Sequence, residues 1–169
     1  MTISYDLMDC PLGRALIAAT PLGICAVEFG GSDRTLIRAL RSGFPRATIE
    51  RNASLLRRAE GRLRRIFEGK PVGGSLPLDA RATAFQARVW NELRSIPAGT
   101  TRSYGEIARR IGRPRSARAV GRACASNRIA VLIPCHRAVG SDGALTGYRW
   151  GNERKRKLIE MERAGAPAR

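Results

Sequence analysis

Three residues whose types support nucleophilic chemistry, Cys135, His136 and Arg137, directly follow Pro134. The thiolate form of cysteine attacks electrophilic carbon, and a neighbouring base and a neighbouring positive charge both favour that form. The chain has one histidine, and it stands at this point. The alternative is a buried structural cysteine beside a hydrogen-bonded histidine, but Pro134 disfavours a regular central strand here. The residues therefore predict a reactive thiol at Cys135.

The charge of the chain indicates the kind of partner. Lys and Arg number 31 and Asp and Glu 14 among 169 residues, which gives a formal net charge of +17. A biased base composition of the coding DNA is an alternative explanation for the preference of Arg over Lys, but explains little of the net charge. Hydrophobic residues make up 43% of the chain, so global disorder is excluded. The sequence predicts a folded protein that binds a polyanion.

Several other classes of protein are excluded by simple patterns. No apolar run of about 18 residues is present, and Asp6 and Asp9 stand where a signal peptide needs a basic and then an apolar stretch. The four cysteines form no C-x-x-C pair and one histidine accompanies them, so neither a zinc site nor a disulfide framework has its usual spacing. We therefore expect a cytoplasmic protein with reduced thiols, no metal and no membrane segment.

The first half of the chain predicts an α+β unit. Pro-Leu-Gly occurs twice within the first thirty residues and separates β-favouring runs, which indicates a three-stranded antiparallel meander with Cys25 as a small core residue. A helix capped by Ser32 or Asp33, a strand near residues 47–50 and an amphipathic helix over 54–68 should follow. The Gly- and Pro-rich stretch GKPVGGSLPLD ends this part, so we expect domains at 1–78 and 79–169.

The second half predicts a helical domain. A helix should begin at Thr83, and two short helices, 104–111 and 116–126, are joined by Gly112-Arg113-Pro114. In a strongly basic chain, this pair has the outline of a helix-turn-helix. The apolar run that ends at Pro134 is of the strand type and should deliver Cys135 at the end of a rigid element.

These segments together resemble one family, the O6-alkylguanine-DNA alkyltransferases, in the branches represented by the C-terminal domain of Ada and by the stand-alone Ogt type. The similarity runs from about Tyr5 to Glu162. It is carried by TAFQARVWNELRSIPAG, TRSYGEIARRIGRPRSARAVGRACASN, IPCHRAVGSDG and LTGYRWG, in that order. The resemblance implies a ribonuclease H-like N-terminal antiparallel sheet with helices and a winged-helix-like C-terminal domain.

The resemblance also implies an activity, which is irreversible transfer of the alkyl group from O6-alkylguanine in DNA to Cys135, one transfer per molecule. It leaves open whether O4-alkylthymine is also a substrate. His136 would accept the thiol proton through a water, and Glu162 would orient His136. Asn127 would tie the recognition helix to the active-site loop, and the hydroxyl of Tyr104 would assist the departing guanine. No cofactor is implied.

Recognition of DNA follows from the same resemblance. The damaged nucleotide must leave the duplex, because a sulfur nucleophile cannot reach its alkyl carbon in line inside the stack. Arg118 would fill the space that the flipped nucleotide leaves, with the recognition helix in the minor groove. The expected partner is duplex DNA containing alkylated bases, bound by a monomer. The residues expected to contact DNA are Arg118, Tyr104, Arg137, Ser103 and Ala117.

The pocket for the alkylated base is expected to be lined by Pro134, Ala138, Tyr148, Arg149 and Trp90. Ala138 and Arg149 depart from the commoner residues of the family, valine and a small residue, and leave the range of accepted alkyl groups open. Two other functions compete with repair. One is a module that recognises alkylated bases without removing them, which Cys135 disfavours. The other is a cysteine hydrolase, which would not need Arg118 or the net charge.

Overall fold

The computed structural model describes residues 1–165, and the last four residues of the expected C-terminal domain, 166–169, lie outside the described residues. The chain divides into two compact units. The first contains Met1–Arg81 and a short later segment, Arg128–Ala130; the second contains Ala82–Asn127 and the chain from Val131 onward. The division between Arg81 and Ala82 lies close to the expected boundary at 78/79, but the return of Arg128–Ala130 to the first unit was not expected.

The first unit is built on a four-stranded sheet. The predicted meander is confirmed as β1 (Thr2–Cys10), β2 (Gly13–Thr20) and β3 (Gly23–Gly30), paired antiparallel. A fourth strand, β4 (Thr48–Arg51), pairs in parallel with β1, so the sheet order is β3-β2-β1-β4 and the sheet is mixed at that edge. Gly23 has a φ of +149°, and its missing Cβ allows close approach to the backbone of Pro77.

Two helices cover this sheet. Helix α1 (Asp33–Gly43) begins after Ser32, whose hydroxyl accepts from the amide of Thr35, and α2 (Ala53–Phe67) begins after Asn52. Both have an apolar stripe that is buried and an Arg-rich side that is exposed. Cys25 is buried in the core as predicted, and the core residues around it are Ile3, Leu7, Leu16, Ala18, Ala26, Leu36 and Leu40.

The second unit is mainly helical and confirms the predicted helix pair. Its helices are α3 (Ala84–Ser95), α4 (Tyr104–Arg110), α5 (Ala117–Ala125) and α6 (Asn152–Gly165). Thr83 and Ser103 form capping boxes with Gln86 and Glu106, which explains why α3 and α4 begin where they do. A short parallel pair joins β5 (Arg102–Ser103) to β6 (Ala138–Val139). Within the described chain no helix is both long and apolar enough to cross a membrane.

The expectation of a strand before Pro134 is wrong. Residues 131–133 form a turn instead, and Val131 has a φ of +69°, the left-handed region that a β-branched residue rarely adopts. The apolar character of Val131 and Ile133 reflects burial and not strand pairing, since both side chains are buried in this turn. An apolar run of three or four residues does not distinguish these cases.

Candidate active site

The reactive segment is one turn of 3-10 helix, Cys135–Arg137, which follows Pro134 and leads directly into β6. The parallel pairing of Arg102 with Ala138 places the beginning of α4 beside the end of this turn. Cys135 and His136 are both buried, with exposed fractions of 2% and 0%. The local sequence therefore delivers thiol and imidazole into the interior of the second unit.

Asn127 holds the thiol. Its side chain is fully buried, and Nδ2 donates to the carbonyl of Ile133 at 2.9 Å and to Sγ of Cys135 at 3.2 Å. Asn127 lies just after the end of α5, so both bonds connect the end of that helix to the segment that carries Cys135. A donor fixed toward sulfur stabilises the thiolate more than the thiol, because the negative charge strengthens the hydrogen bond. The expected link between Asn127 and the active-site loop has this geometry.

Burial, however, makes the Cys135 thiol a weak acid. Desolvation raises the pKa of Cys135 to about 11, against the lowering effects of the Asn127 hydrogen bond and the charges of Lys155 and Arg149. The positive neighbours that act on sulfur are thus Lys155 and Arg149. Arg137, adjacent in sequence, directs its donors elsewhere. Ionisation of Cys135 near neutral pH therefore needs a base at the moment of attack.

His136 has the arrangement of that base. Its Nε2 lies 2.7 Å from Oε1 of Glu162, a residue of α6 that is 26 positions away. Burial lowers the pKa of His136 in spite of the opposing effect of Glu162, so the ring is neutral at pH 7. An ionised carboxylate can only accept, so Nε2 carries the proton. Nδ1 then presents a lone pair, and it has no hydrogen-bond partner within the described residues.

Glu162 is fixed by more than the imidazole. Arg137 donates Nε and Nη2 to its carboxylate at 3.0 and 2.8 Å, and the amide of Gly99 donates at 3.2 Å. Burial raises the pKa of Glu162, but the hydrogen bonds from His136 and Arg137 outweigh it and bring the pKa to about 2. Nη1 of Arg137 also donates to the carbonyl of Ile96 at 2.5 Å. Arg137 therefore positions Glu162, and its contact with DNA stays a prediction.

Tyr104 lies at the first position of α4, and a residue that sequence reasoning missed accompanies it. The hydroxyl of Tyr104 donates to the carbonyl of Thr146 at 2.9 Å. Lys155 is 1% exposed, and its Nζ donates to the same carbonyl at 3.0 Å and to the Tyr104 hydroxyl at 3.3 Å. Burial raises the pKa of Tyr104 to about 12 and lowers the pKa of Lys155.

The position of Lys155 in the sequence already indicates an unusual lysine. Lys155, Leu158, Ile159 and Glu162 are spaced i, i+3, i+4 and i+7, so the lysine stands on the apolar face of α6. A lysine is almost never fully buried without a partner. Its place on that face, next to the carboxylate already implicated, would have indicated a functional group.

The residues predicted to line the base pocket differ in burial. Pro134, Ala138 and Tyr148 are buried, and the Tyr148 hydroxyl has no hydrogen-bond partner in the described part of the chain. Tyr148 packs edge-on against Trp150 at 5.3 Å between ring centroids, and the exposed Arg149 lies 5.9 Å from the Trp150 centroid. Residues 1–165 contain no group of three or more His, Cys, Asp and Glu side chains that could hold a metal ion.

Two of the predicted residues also have structural contacts. The Nε1 of Trp90, a residue expected in the base pocket, donates to the carbonyl of Ala123 at 2.9 Å, so the indole packs α3 against α5. The hydroxyl of Ser103 accepts from the amide of Glu106 as the α4 cap. The capping bond fixes the start of α4, and with it the backbone that carries Tyr104.

Arg118 and Ala117 lie in the first turn of α5, the second helix of the pair. Arg118 is exposed, and no ion pair or side-chain hydrogen bond engages it within residues 1–165. Its guanidinium is thus available to a ligand, as its expected role requires. Ala117 is partly buried, and its small side chain allows close approach to the start of the helix.

The Glu162 cluster predicts a dependence of stability on pH. The pKa of Glu162 lies near 2 in the folded chain against an ordinary value of 4.5, so its stabilising effect is complete above about pH 4.5 and is lost as pH falls toward 2. We expect Glu162→Gln to lower the free energy of unfolding at pH 7 by on the order of 2 to 3 kcal/mol and to flatten its decline below pH 4.5. Urea unfolding at a series of pH values measures this, with the exposed Glu160→Gln on the same helix as control. If the free energy of unfolding declined equally below pH 4.5 in wild type and in Glu162→Gln, the stabilising role of the Glu162 carboxylate would be contradicted.

Comparison with known sequences covers nearly the whole chain. Residues 3–80 match the family described as 6-O-methylguanine DNA methyltransferase, ribonuclease-like domain, and residues 84–164 match its DNA binding domain. The bifunctional transcriptional activator/DNA repair enzyme Ada of Escherichia coli is 45% identical over 165 residues, which is 96% of this chain and 46% of Ada. The chain thus spans about half the length of that relative. A methylated-DNA–protein-cysteine methyltransferase of Mycolicibacterium paratuberculosis is 50% identical over 98% of this chain and 96% of its own length.

Solved structures agree with this result. The O6-methylguanine methyltransferase of Mycobacterium tuberculosis has a TM-score of 0.81 at 38% identity and covers 99% of this chain and 97% of its own. The same organism's OGT in complex with DNA has a TM-score of 0.79 at 39% identity, with 98% and 96% of the two chains covered. The α+β fold expected from the sequence is confirmed in both halves.

Proposed function

Because the chain belongs to the 6-O-methylguanine DNA methyltransferase family, we propose that it repairs alkylated DNA by moving the alkyl group of O6-alkylguanine onto Sγ of Cys135. The observation that carries the proposal is the buried arrangement in which Asn127 donates to Cys135 and Glu162 holds His136. A buried, oriented thiol next to a neutral imidazole suits a nucleophile that must exclude water. The wide coverage of the relatives supports the same function.

The transfer requires one bond to form and one to break. Sγ bonds to the alkyl carbon, the bond from that carbon to O6 breaks, and its electron pair goes to guanine. The thiol proton goes through a water to the lone pair on Nδ1 of His136, because Nε2 is committed to Glu162. The departing guanine takes its proton from the hydroxyl of Tyr104, which gives up its bond to the carbonyl of Thr146, and Nζ of Lys155, which donates to the same hydroxyl, replaces the tyrosine proton.

The proposed partner is duplex DNA with an alkylated base, and the proposed acting form is a monomer in the cytoplasm. The net charge of +17 and the match of residues 84–164 to a DNA binding domain support the partner. All four cysteines are free thiols, which suits a reducing compartment. A thioether has no activated leaving group, so the alkyl group stays on Cys135. Each molecule should therefore act once.

Intact mass spectrometry tests the proposal. Protein is mixed with an excess of duplex DNA that contains one O6-methylguanine, and the mass and the number of repaired lesions are followed. We expect the protein to gain one methyl group, located on Cys135 by peptide analysis, and repair to stop at about one lesion per molecule. Turnover beyond that plateau would favour a hydrolase, and tight binding without a mass change would favour a reader of alkylated bases.

The role of Arg118 leads to a separate prediction. Arg118→Ala removes the side chain that would fill the stack, so nucleotide flipping should become less favourable by a few kcal/mol, enough for a rate loss of about 100-fold on duplex DNA. The rate with free O6-methylguanine base, which needs no flipping, should stay within about twofold. Single-turnover rates on both substrates measure this, with the exposed Arg57→Ala in α2 as control. Equal losses on both substrates would assign Arg118 to the fold or to the pocket.

A further inference from the structure

The segment Arg128–Ala130 extends the sheet of the first unit. The amide of Val27 donates to the carbonyl of Arg128, and the amide of Ala130 donates to the carbonyl of Val27, both at 2.9 Å. Ile129 forms a parallel bridge with Val27 on the outer edge of β3. The segment is thus held by backbone bonds, although residues 127 and 131 on either side of it belong to the second unit.

The side chain of Arg128 is held as well. Its Nη1 donates to Oε1 of Glu28 in β3 at 3.2 Å, and the Glu28 side chain is only 4% exposed. The guanidinium lies 5.9 Å from the ring centroid of Phe44, and it occupies space at Gly43 where a Cβ would collide with it. A buried carboxylate that lost its cation would be strongly unfavourable, so the pair resists displacement of Arg128.

The segment Arg128–Ala130 directly follows Asn127, the residue whose side chain donates to the nucleophile Cys135. Asn127 precedes Arg128, and consecutive Cα atoms are about 3.8 Å apart. The bond from Asn127 Nδ2 to Cys135 Sγ is 3.2 Å long, and it weakens if Asn127 moves.

The chain is strained at the residue that follows the segment Arg128–Ala130. Val131, which follows Ala130, has a φ of +69°. A β-branched residue keeps such a conformation only where the structure on both sides determines it. The bonds of residues 128–130 to β3 provide this constraint on the N-terminal side of Val131. Val131 in turn lies four residues before Cys135.

We propose that the Glu28–Arg128 ion pair is a positioning device for Asn127 and, through Asn127, for the Cys135 thiol. The proposal rests on the proposed function only in taking Cys135 as the acceptor. Its consequence is that two charged residues outside the pocket tune how readily Cys135 ionises. Arg128 is a positioning residue here, since it touches neither the thiol nor the substrate site.

The test measures the thiol itself. The rate of Cys135 alkylation by iodoacetamide is followed against pH by peptide mass spectrometry in the full chain. We expect Glu28→Gln/Arg128→Met, which removes both charges and leaves neither unpaired, to raise the pH midpoint by about one unit and to slow alkylation at pH 7 about tenfold. Arg128→Lys, which keeps the charge next to Glu28, should retain the wild-type midpoint. Glu28→Gln alone is a milder variant should the double variant fold poorly.

Two further variants separate positioning from stability. In an Asn127→Ala background the midpoint should already be raised, and adding Glu28→Gln/Arg128→Met should shift it no further. Asp6→Asn/Arg51→Met removes another ion pair of the same sheet and should leave the midpoint unchanged. A midpoint that stays at the wild-type value while the melting temperature falls would overturn the proposal, and so would a full additional shift on Asn127→Ala. None of these readings depends on methyl transfer, so a failure of the proposed function would be seen separately.

Discussion

Replacing Cys135 by serine should reduce alkyl transfer below detection and leave the affinity for duplex DNA close to that of wild type. A hydroxyl is far less acidic than a thiol and a much weaker nucleophile toward carbon, so the reaction loses its acceptor. The change in volume is small, and Asn127 Nδ2 can donate to oxygen as it does to sulfur. Arg118 and the exposed side of α5, which should contact DNA, are untouched.

The measurement combines intact mass after incubation with O6-methylguanine duplex and fluorescence anisotropy with the same duplex. Cys25→Ala is the matched control, because it removes another buried thiol, one that lies in the core of the first unit. It should retain full transfer. A methyl group found on Cys135→Ser, on any residue, would show that the acceptor has been misassigned.

Replacing His136, the proposed general base, by alanine should slow transfer at pH 7 by about 100-fold or more, the usual contribution of a positioned general base. The loss is large because the raised pKa of Cys135, about 11, leaves very little thiolate at neutral pH. Raising the pH should restore part of the loss, since the thiolate fraction rises about tenfold per unit below the thiol pKa. DNA affinity should change little, because His136 is fully buried.

Glu162→Gln should give a smaller loss of the same kind. The amide can still accept from Nε2 of His136, but it carries no charge to stabilise the imidazolium that forms when Nδ1 takes the proton. Single-turnover rates against pH, with Glu160→Gln as control, measure both effects. Identical pH profiles for wild type and His136→Ala would remove the imidazole from the mechanism, and unfolding of Glu162→Gln at pH 7 would make the carboxylate structural.

The local elements and the nucleophile could be predicted from residue types and spacing. The meander, the starts of α1, α3 and α4, and the helix pair depend on periodicity and on caps that join residues three apart, such as Ser103 and Glu106. Cys135 and His136 could be identified because they are adjacent and because the chain has one histidine. Glu162 and Asn127 were named only through the resemblance, since spacing alone cannot bring residues 26 positions apart together.

Which groups act on one another became clear only from the folded chain. Arg137 looked like an activator of the adjacent thiol, yet its guanidinium reaches Glu162 on α6, and a buried lysine on that helix, Lys155, acts on the sulfur instead. Glu28 and Arg128 are 100 positions apart and meet because residues 128–130 pair with β3. The β-branched side chain of Val131 favours a strand, but the residue adopts a left-handed turn. The structure on both sides outweighs its intrinsic backbone preference. Local preferences extend over a few residues, whereas burial, charge pairing and the pKa of a thiol depend on the path of the whole chain.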